Sequence, residues 1–304
     1  MTLYSLREGK FPVIISFAAI YIIWGSTYLG IKVAMECIPP MLMAGFRFIL
    51  AGGILYLIAK IRKEPNPTIG NLKPLIISSV LLLVIGTGGV VLAEKIIPSG
   101  LTALLITIEP LWIILLQWFR NGQNRPDKGS LVAIMLGIVG MYILTGPHVE
   151  GSGIDIVGVG LILLSTFSWA LGSIYSIKAN LPKTSAMNCS IQMLLAGAIL
   201  TTGGTISGEG AQLIVSKISL ISMAAFFYLV IFGSIIGLTA YSYLLKVVKP
   251  SSVSTYVYIN PVIAIILGCL IGGESFTWTT FISSIFLIFS ALIIRYRERG
   301  ELTE

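Results

Sequence analysis

Charge is scarce in this chain of 304 residues: 11% are Asp, Glu, Lys or Arg, against 56% hydrophobic. Soluble domains carry roughly 25% charged residues, so an ordinary water-facing surface cannot be built from this composition. Cysteine is as sparse. Cys37, Cys189 and Cys269 lie far apart with no C-x-x-C or Cys/His cluster among them, and they read as packing thiols. The single histidine, His148, falls in a Gly-rich connector and reads as solvated. No G-x-x-x-x-G-K-[ST], H-E-x-x-H or G-x-S-x-G stretch occurs, and no apolar run holds paired carboxylates. These absences argue against nucleotide hydrolysis and against an intramembrane hydrolase, and no cofactor or metal is implied.

What the chain does have is long apolar runs, and its mean hydropathy is +0.94. A membrane helix needs ~20 predominantly apolar residues, and ten such runs are present, over 11–32, 41–59, 72–93, 99–119, 129–145, 155–177, 185–206, 220–245, 251–271 and 277–294. The expected class is an all-α integral membrane protein in the lipid bilayer. The first run is longer than a signal-peptide core and lacks a clear A-x-A site, so it reads as a retained span. Connectors are short and carry turn chemistry, as in "CIPP", "KEPNPTIG" and "NGQNRPDKG", leaving no room for a soluble domain. Sixteen of the 20 basic residues fall at the two termini and in alternate connectors. By the positive-inside rule both termini face the cytoplasm of a plasma-membrane protein, and the net charge of +7 is a topology signal rather than a nucleic-acid footprint.

The chain repeats itself. "RFILAGGIL" from Arg47 matches "QMLLAGAIL" from Gln192 at five of nine positions, 145 residues on, and Trp24 and Trp169 share that offset. After a short gap the register continues at 151, where Lys95 lies over Lys246 and Pro110 over Pro261. The halves, 1–145 and 155–304, read as duplicates of one five-helix unit. Five is odd, so the second copy enters the membrane from the opposite side. Such inverted repeats rock about a central site and give alternating access.

"WGSTYLGIK" in the first run, "FRF" in the second, the proline of the fourth, "NP" in the ninth and "GGESFTW" before the tenth resemble the EamA-type members of the drug/metabolite transporter superfamily. The resemblance covers nearly the whole chain. It implies a secondary carrier, often an exporter of amino acids, related metabolites or drugs, with a binding cavity between the halves. The first half departs from the pattern: Gly273-Glu274 corresponds to Gly122-Gln123, which lacks the acid.

Polar groups inside the runs are the candidate site. A charge near the bilayer centre costs at least ~2.5 kcal/mol on insertion scales and usually faces a bundle interior or a water-filled cavity. Glu109 stands about ten residues into its run, roughly 15 Å deep in a ~30 Å core, beyond the reach of snorkelling. It is protonated, paired with a cation, or facing water; Arg47 in the second run is the candidate cation, and a structural ion pair is the plain alternative. Pro110 withholds a backbone donor from Ile106 and Pro261 one from Val257, so the pair reads as hinges or cavity wall, or else as packing kinks. Trp24, Ser26, Thr27, Trp169, Ser173 and Gln192 complete the candidate set, with Tyr256 and Asn260 on one face of the ninth run and Tyr258 turned away. "GSIIG" from Gly233 and "GCLIG" from Gly268 are small-xxx-small patterns, read as intramolecular packing.

The sequence therefore predicts a secondary exporter of small metabolites, amino acids or amphiphilic drugs, driven by protons or by exchange. A non-transporting partner, a lipid scramblase and, further off, an enzyme are the rival classes. Nothing in the sequence fixes the oligomeric state.

Overall fold

A computed structural model describes residues 10–97, 102, 105–121, 127–149, 155–271 and 278–300. Helices account for nearly all of them: α1 Lys10–Met35, α2 Pro40–Ile61, α3 Ile69–Ala93, α4 Glu109–Asn121, α5 Lys128–Val149, α6 Ile156–Lys178, α7 Ser185–Ile206, α8 Leu220–Val247, α9 Tyr256–Ile271 and α10 Trp278–Gly300. Six of these, α1, α2, α3, α6, α7 and α8, are long and apolar enough to cross a membrane. Their apolar residues face outward as well as inward: Leu57, Phe11 and Ile156 are largely exposed, while Phe48, Met43 and Ile162 are buried. A helix that is apolar all round suits a surface that meets lipid rather than water.

The expected starts at Ser99 and Thr277, the pairs Gly122-Gln123 and Gly273-Glu274, and the end of "GCLIG" lie outside the described residues; of Cys269 and His148 only the backbone is described. Helix α5 runs on to Val149, so His148 is helical rather than part of a connector. The cysteines Cys37 and Cys189 are free thiols.

Helices α2 and α7 are the tightest pair, and they run antiparallel. Met41 and Leu42 lie against Gly203 and Gly204, Gly45 against Thr201, and Gly52 against Leu194. A Cβ on Gly52 would sit 2.9 Å from the Leu194 nitrogen and 2.9 Å from the Ser190 oxygen; one on Gly197 would sit 2.7 Å from the Ile49 nitrogen and 2.9 Å from the Gly45 oxygen. These are the same contacts displaced by 145 residues. Only glycine lets the two backbones approach so closely.

The ends of this pair are held in the same reciprocal way. Pro39 and Pro40 give α2 no side-chain cap of its own. Glu209, in the connector after α7, supplies one instead, accepting from Met41 N at 3.3 Å and Leu42 N at 3.0 Å. A carboxylate satisfies orphan donors and meets the positive end of the helix dipole. At the opposite end Glu64, 145 residues before Glu209, accepts from the hydroxyl of Thr184, the residue that caps α7, at 2.5 Å.

Two features depart from regular helices. The centres of α3 and α8, Val80–Thr87 and Leu229–Ile236, are π-helical. Such wide turns are rare and frequently lie at functional sites. The fourth and ninth runs, expected to be continuous, are each interrupted. Thr107 and Ile108 form a turn before α4, and Ser254 and Thr255 separate a short helix, Pro250–Val253, from α9. Pro110 thus lies in the first turn of α4, where its missing donor costs little, instead of bending a continuous helix. Pro261 lies inside α9.

Candidate functional site

Seven of the candidate residues converge on one cavity: Trp24, Thr27, Arg47, Glu109, Trp169, Tyr256 and Asn260. The three others lie elsewhere. Ser26 donates to the Ile23 carbonyl and bonds the Tyr228 hydroxyl at 2.5 Å. Ser173 donates to the Trp169 carbonyl and bonds the Tyr241 hydroxyl at 2.6 Å. Gln192 faces a different pocket. Ser26 and Ser173 back-bond their own helices and do not line the cavity.

Glu109, at the start of α4, is buried at 2% exposure. Its Oε2 accepts from the Tyr256 hydroxyl at 2.7 Å, and its Oε1 has no partner among the described residues. Arg47, on α2, is 5% exposed. Its Nε donates to Ser234 Oγ at 2.7 Å, and its guanidinium carbon stands 5.4 Å from the Phe48 ring centre. The hydrogen bond of Arg47 goes to Ser234 and that of Glu109 comes from Tyr256, with none between the two. A buried acid and a buried base therefore share a cavity without a hydrogen bond between them. Each keeps hydrogen-bonding capacity that the described residues leave unused, and a buried polar group short of partners is costly.

Between these poles stands an aromatic cluster. Trp24 meets Tyr256 at 5.0 Å, Tyr241 at 5.3 Å and Trp169 at 5.7 Å between ring centres. The Trp24 indole donates to the Gly233 carbonyl at 3.1 Å, and that of Trp169 to the Tyr241 hydroxyl at 2.9 Å. Each tryptophan rests on a glycine at or beside the other half's π-segment: Trp169 on Gly86, Trp24 on Gly237. Those glycines are 151 residues apart, as the tryptophans are 145 apart. The π-segments themselves reach the cavity through Gly86, Thr87 and Gly233. Electron-rich ring faces beside a carboxylate suit a cationic group, and a guanidinium opposite suits an anionic one.

Asn260, 151 residues after Glu109, lines the same cavity. With its amide nitrogen assigned toward α1 it donates to the carbonyls of Tyr21 and Tyr256 at 3.0 Å each. Tyr258 points away from the cavity and donates to the Thr107 carbonyl at 3.4 Å. "GSIIG" packs within the molecule, as read: Gly233 lies against Arg47 and Thr27, Gly237 against Trp24. Tyr28, Ser165 and Thr166, all cavity-lining, and Ser234 and Tyr241 were not foreseen. Ser234 lay hidden in a motif read as packing, and nothing local distinguishes Tyr241 from the other tyrosines of "AYSYLL".

The comparisons with known proteins agree with this architecture. A protein of Escherichia coli (strain K12), "Uncharacterized inner membrane transporter YedA", is 34% identical over 285 residues, covering 93% of this chain and 90% of that protein. The "Probable amino-acid metabolite efflux pump" of the same organism is 25% identical, covering 90% of this chain and 91% of that one. A solved crystal structure superposes with a TM-score of 0.77 at 16% identity, covering 94% of this chain and 98% of that chain, a likeness of fold. The EamA-like transporter family matches twice, over residues 11–146 and 156–296, and the chain belongs to that family.

Proposed function

We propose that the chain is a secondary exporter of small zwitterionic metabolites, amino acids foremost, with amphiphilic drugs as further cargo. It works by alternating access between two inverted five-helix halves in the inner (plasma) membrane, with both termini in the cytoplasm. The observation that carries this reading is that Arg47 and Glu109 line one cavity without a hydrogen bond between them. A static bundle gains by neutralising two buried charges against each other; a carrier of zwitterions gains by keeping them apart for cargo. Arg47 receives the carboxylate, and Glu109 with Trp24 and Tyr256 receives the ammonium group. The matching contacts made by Gly52 and by Gly197, by Trp169 on Gly86 and Trp24 on Gly237, and by Glu64 on Thr184 and Glu209 on Leu42 support the inverted repeat. The relative named an amino-acid metabolite efflux pump supports the cargo class. Either a proton taken up by Glu109 when cargo leaves, or a counter-substrate, resets the cycle.

Purified protein in proteoliposomes, preloaded in turn with each of the twenty proteinogenic amino acids, tests this by counterflow of the labelled form. Saturable counterflow of at least one is the expected result. Its absence across amino acids, other metabolites and drugs would sink the reading, leaving the scramblase and partner classes.

A further inference from the structure

A second, narrower cavity lies beyond Tyr241, among Ser176, Asn188, Gln192, Ser242 and Lys246. Tyr241 lines this pocket, while its ring neighbours Trp24, Trp169 and Tyr256 line the central one, and Leu238 lines both. A single aromatic layer thus separates two spaces. The spaces correspond through the repeat. Ile31 and Arg47 of the central cavity lie 145 residues before Ser176 and Gln192 of the second; Thr87 and Val90 lie 151 before Leu238 and Tyr241. The second pocket is the counterpart of the first, on the other side of the aromatic cluster.

Its chemistry differs in one respect: no acid lines it. Gln192 Nε2 donates to Asn188 Oδ1 at 2.9 Å, and Asn188 Nδ2 to Ser242 Oγ at 3.2 Å. Each amide nitrogen has two hydrogens, so one remains on each. Lys246 stands exposed at the rim and donates one of its three hydrogens to the Lys183 carbonyl at 2.8 Å. Glu64, within electrostatic range of Lys246, is engaged by Thr184. A pocket rich in spare donors, with a cation at its mouth and no carboxylate in its wall, selects anions.

We propose that this pocket is a second station for the same cargo, entered from the cytoplasm, where Lys246 and the amides of Asn188 and Gln192 hold the cargo's carboxylate before it passes Tyr241. The inference rests on the zwitterion-carrier reading above. It gives the path two anion sites in series, Lys246 first and Arg47 second, with the ammonium site only at the second.

The thiol of Cys189 lines the pocket and serves as a reporter. Protein with Cys37→Ser and Cys269→Ser, reconstituted in proteoliposomes, is treated with N-ethylmaleimide with and without an equimolar mixture of the nineteen proteinogenic amino acids other than cysteine, whose thiol would consume the reagent. The mixture is expected to slow modification of Cys189 several-fold. Lys246→Gln should abolish that protection and Lys246→Arg should restore it, whereas a merely structural lysine would leave protection unchanged. Two results overturn the proposal in a protein that still performs counterflow: modification at one rate with and without the mixture, or a Cys189 that reacts only after denaturation. Loss of counterflow in the unsubstituted protein instead overturns the underlying reading, so the two failures are distinguishable.

Discussion

Tyr256 donates its hydroxyl hydrogen to one oxygen of Glu109 at 2.7 Å, and the other oxygen has no partner among the described residues. The bond joins α4 to α9, so it crosses between the two matched segments of the chain. Tyr256→Phe removes it and leaves the carboxylate with neither oxygen engaged. Leaving a buried group unsatisfied costs about 1–3 kcal/mol, which corresponds to roughly 5- to 150-fold in an equilibrium constant. We expect apparent cargo affinity in counterflow to fall within that range while the folded yield holds. An unchanged affinity would show that the bond does not orient the acid.

Glu109→Gln keeps the shape of the side chain and removes its ability to exchange a proton. If Glu109 couples transport to protons, this variant carries cargo by exchange but loses acceleration by a pH gradient, and its rate becomes insensitive to pH across the range in which the parent responds. Counterflow and gradient-driven efflux, measured side by side, check this. Gradient-driven transport equal to the parent's at every pH would show that Glu109 is not the group that couples transport to protons.

Glu209 lends α2 the cap that its own prolines cannot provide. Loss of an N-cap costs about 0.5–2 kcal/mol, so Glu209→Ala should lower the thermal unfolding midpoint in detergent by a few degrees. Its carboxylate lies outside the cavity, so counterflow at low temperature should persist. Glu64→Ala, at the other end of the α2 and α7 pair, should give a smaller loss, because Glu64 acts through the Thr184 hydroxyl and not on backbone donors.

Gly52→Val and Gly197→Val should each abolish folded protein rather than tune activity. In both cases the first added carbon meets backbone atoms of the facing helix at 2.9 Å or less, and a backbone cannot step aside as a side-chain tip can. Size-exclusion profiles of the detergent-extracted variants read this directly. A monodisperse, transporting Gly52→Val protein would contradict the close approach of α2 and α7.

The helices were legible in the sequence because apolar length is a strong signal in a chain with so little charge. The expected span 185–206 coincides with α7 and the others differ by a few residues where both ends are described. The convergence of Trp24, Arg47, Glu109, Trp169, Tyr256 and Asn260 was also legible, as polar and aromatic groups inside apolar runs, whereas Gln192, the counterpart of Arg47, lies in another pocket. The π-segments were not, because a single extra residue per turn leaves no mark in an all-apolar run such as "VLLLVIGT". The trans caps of Glu64 and Glu209 were present as a 145-residue coincidence between two connector acids. Such pairs gain meaning only once the facing helix end is known. Whether Arg47 meets Glu109 was likewise beyond the sequence, for it depends on Ser234 taking the guanidinium.

The central claim is that Arg47 and Glu109 hold opposite ends of one cargo. The most direct test compares binding of leucine, leucinamide, which lacks the carboxylate, and N-acetylleucine, which lacks the ammonium, by inhibition of counterflow in the parent, Arg47→Gln and Glu109→Gln. Charged hydrogen bonds contribute about 1.5–3 kcal/mol, so each substitution should weaken leucine by roughly 10- to 150-fold. The account predicts a crossed pattern: Arg47→Gln leaves leucinamide unchanged, and Glu109→Gln leaves N-acetylleucine unchanged. Equal loss of all three ligands in both variants, or no loss of leucine in either, would contradict it.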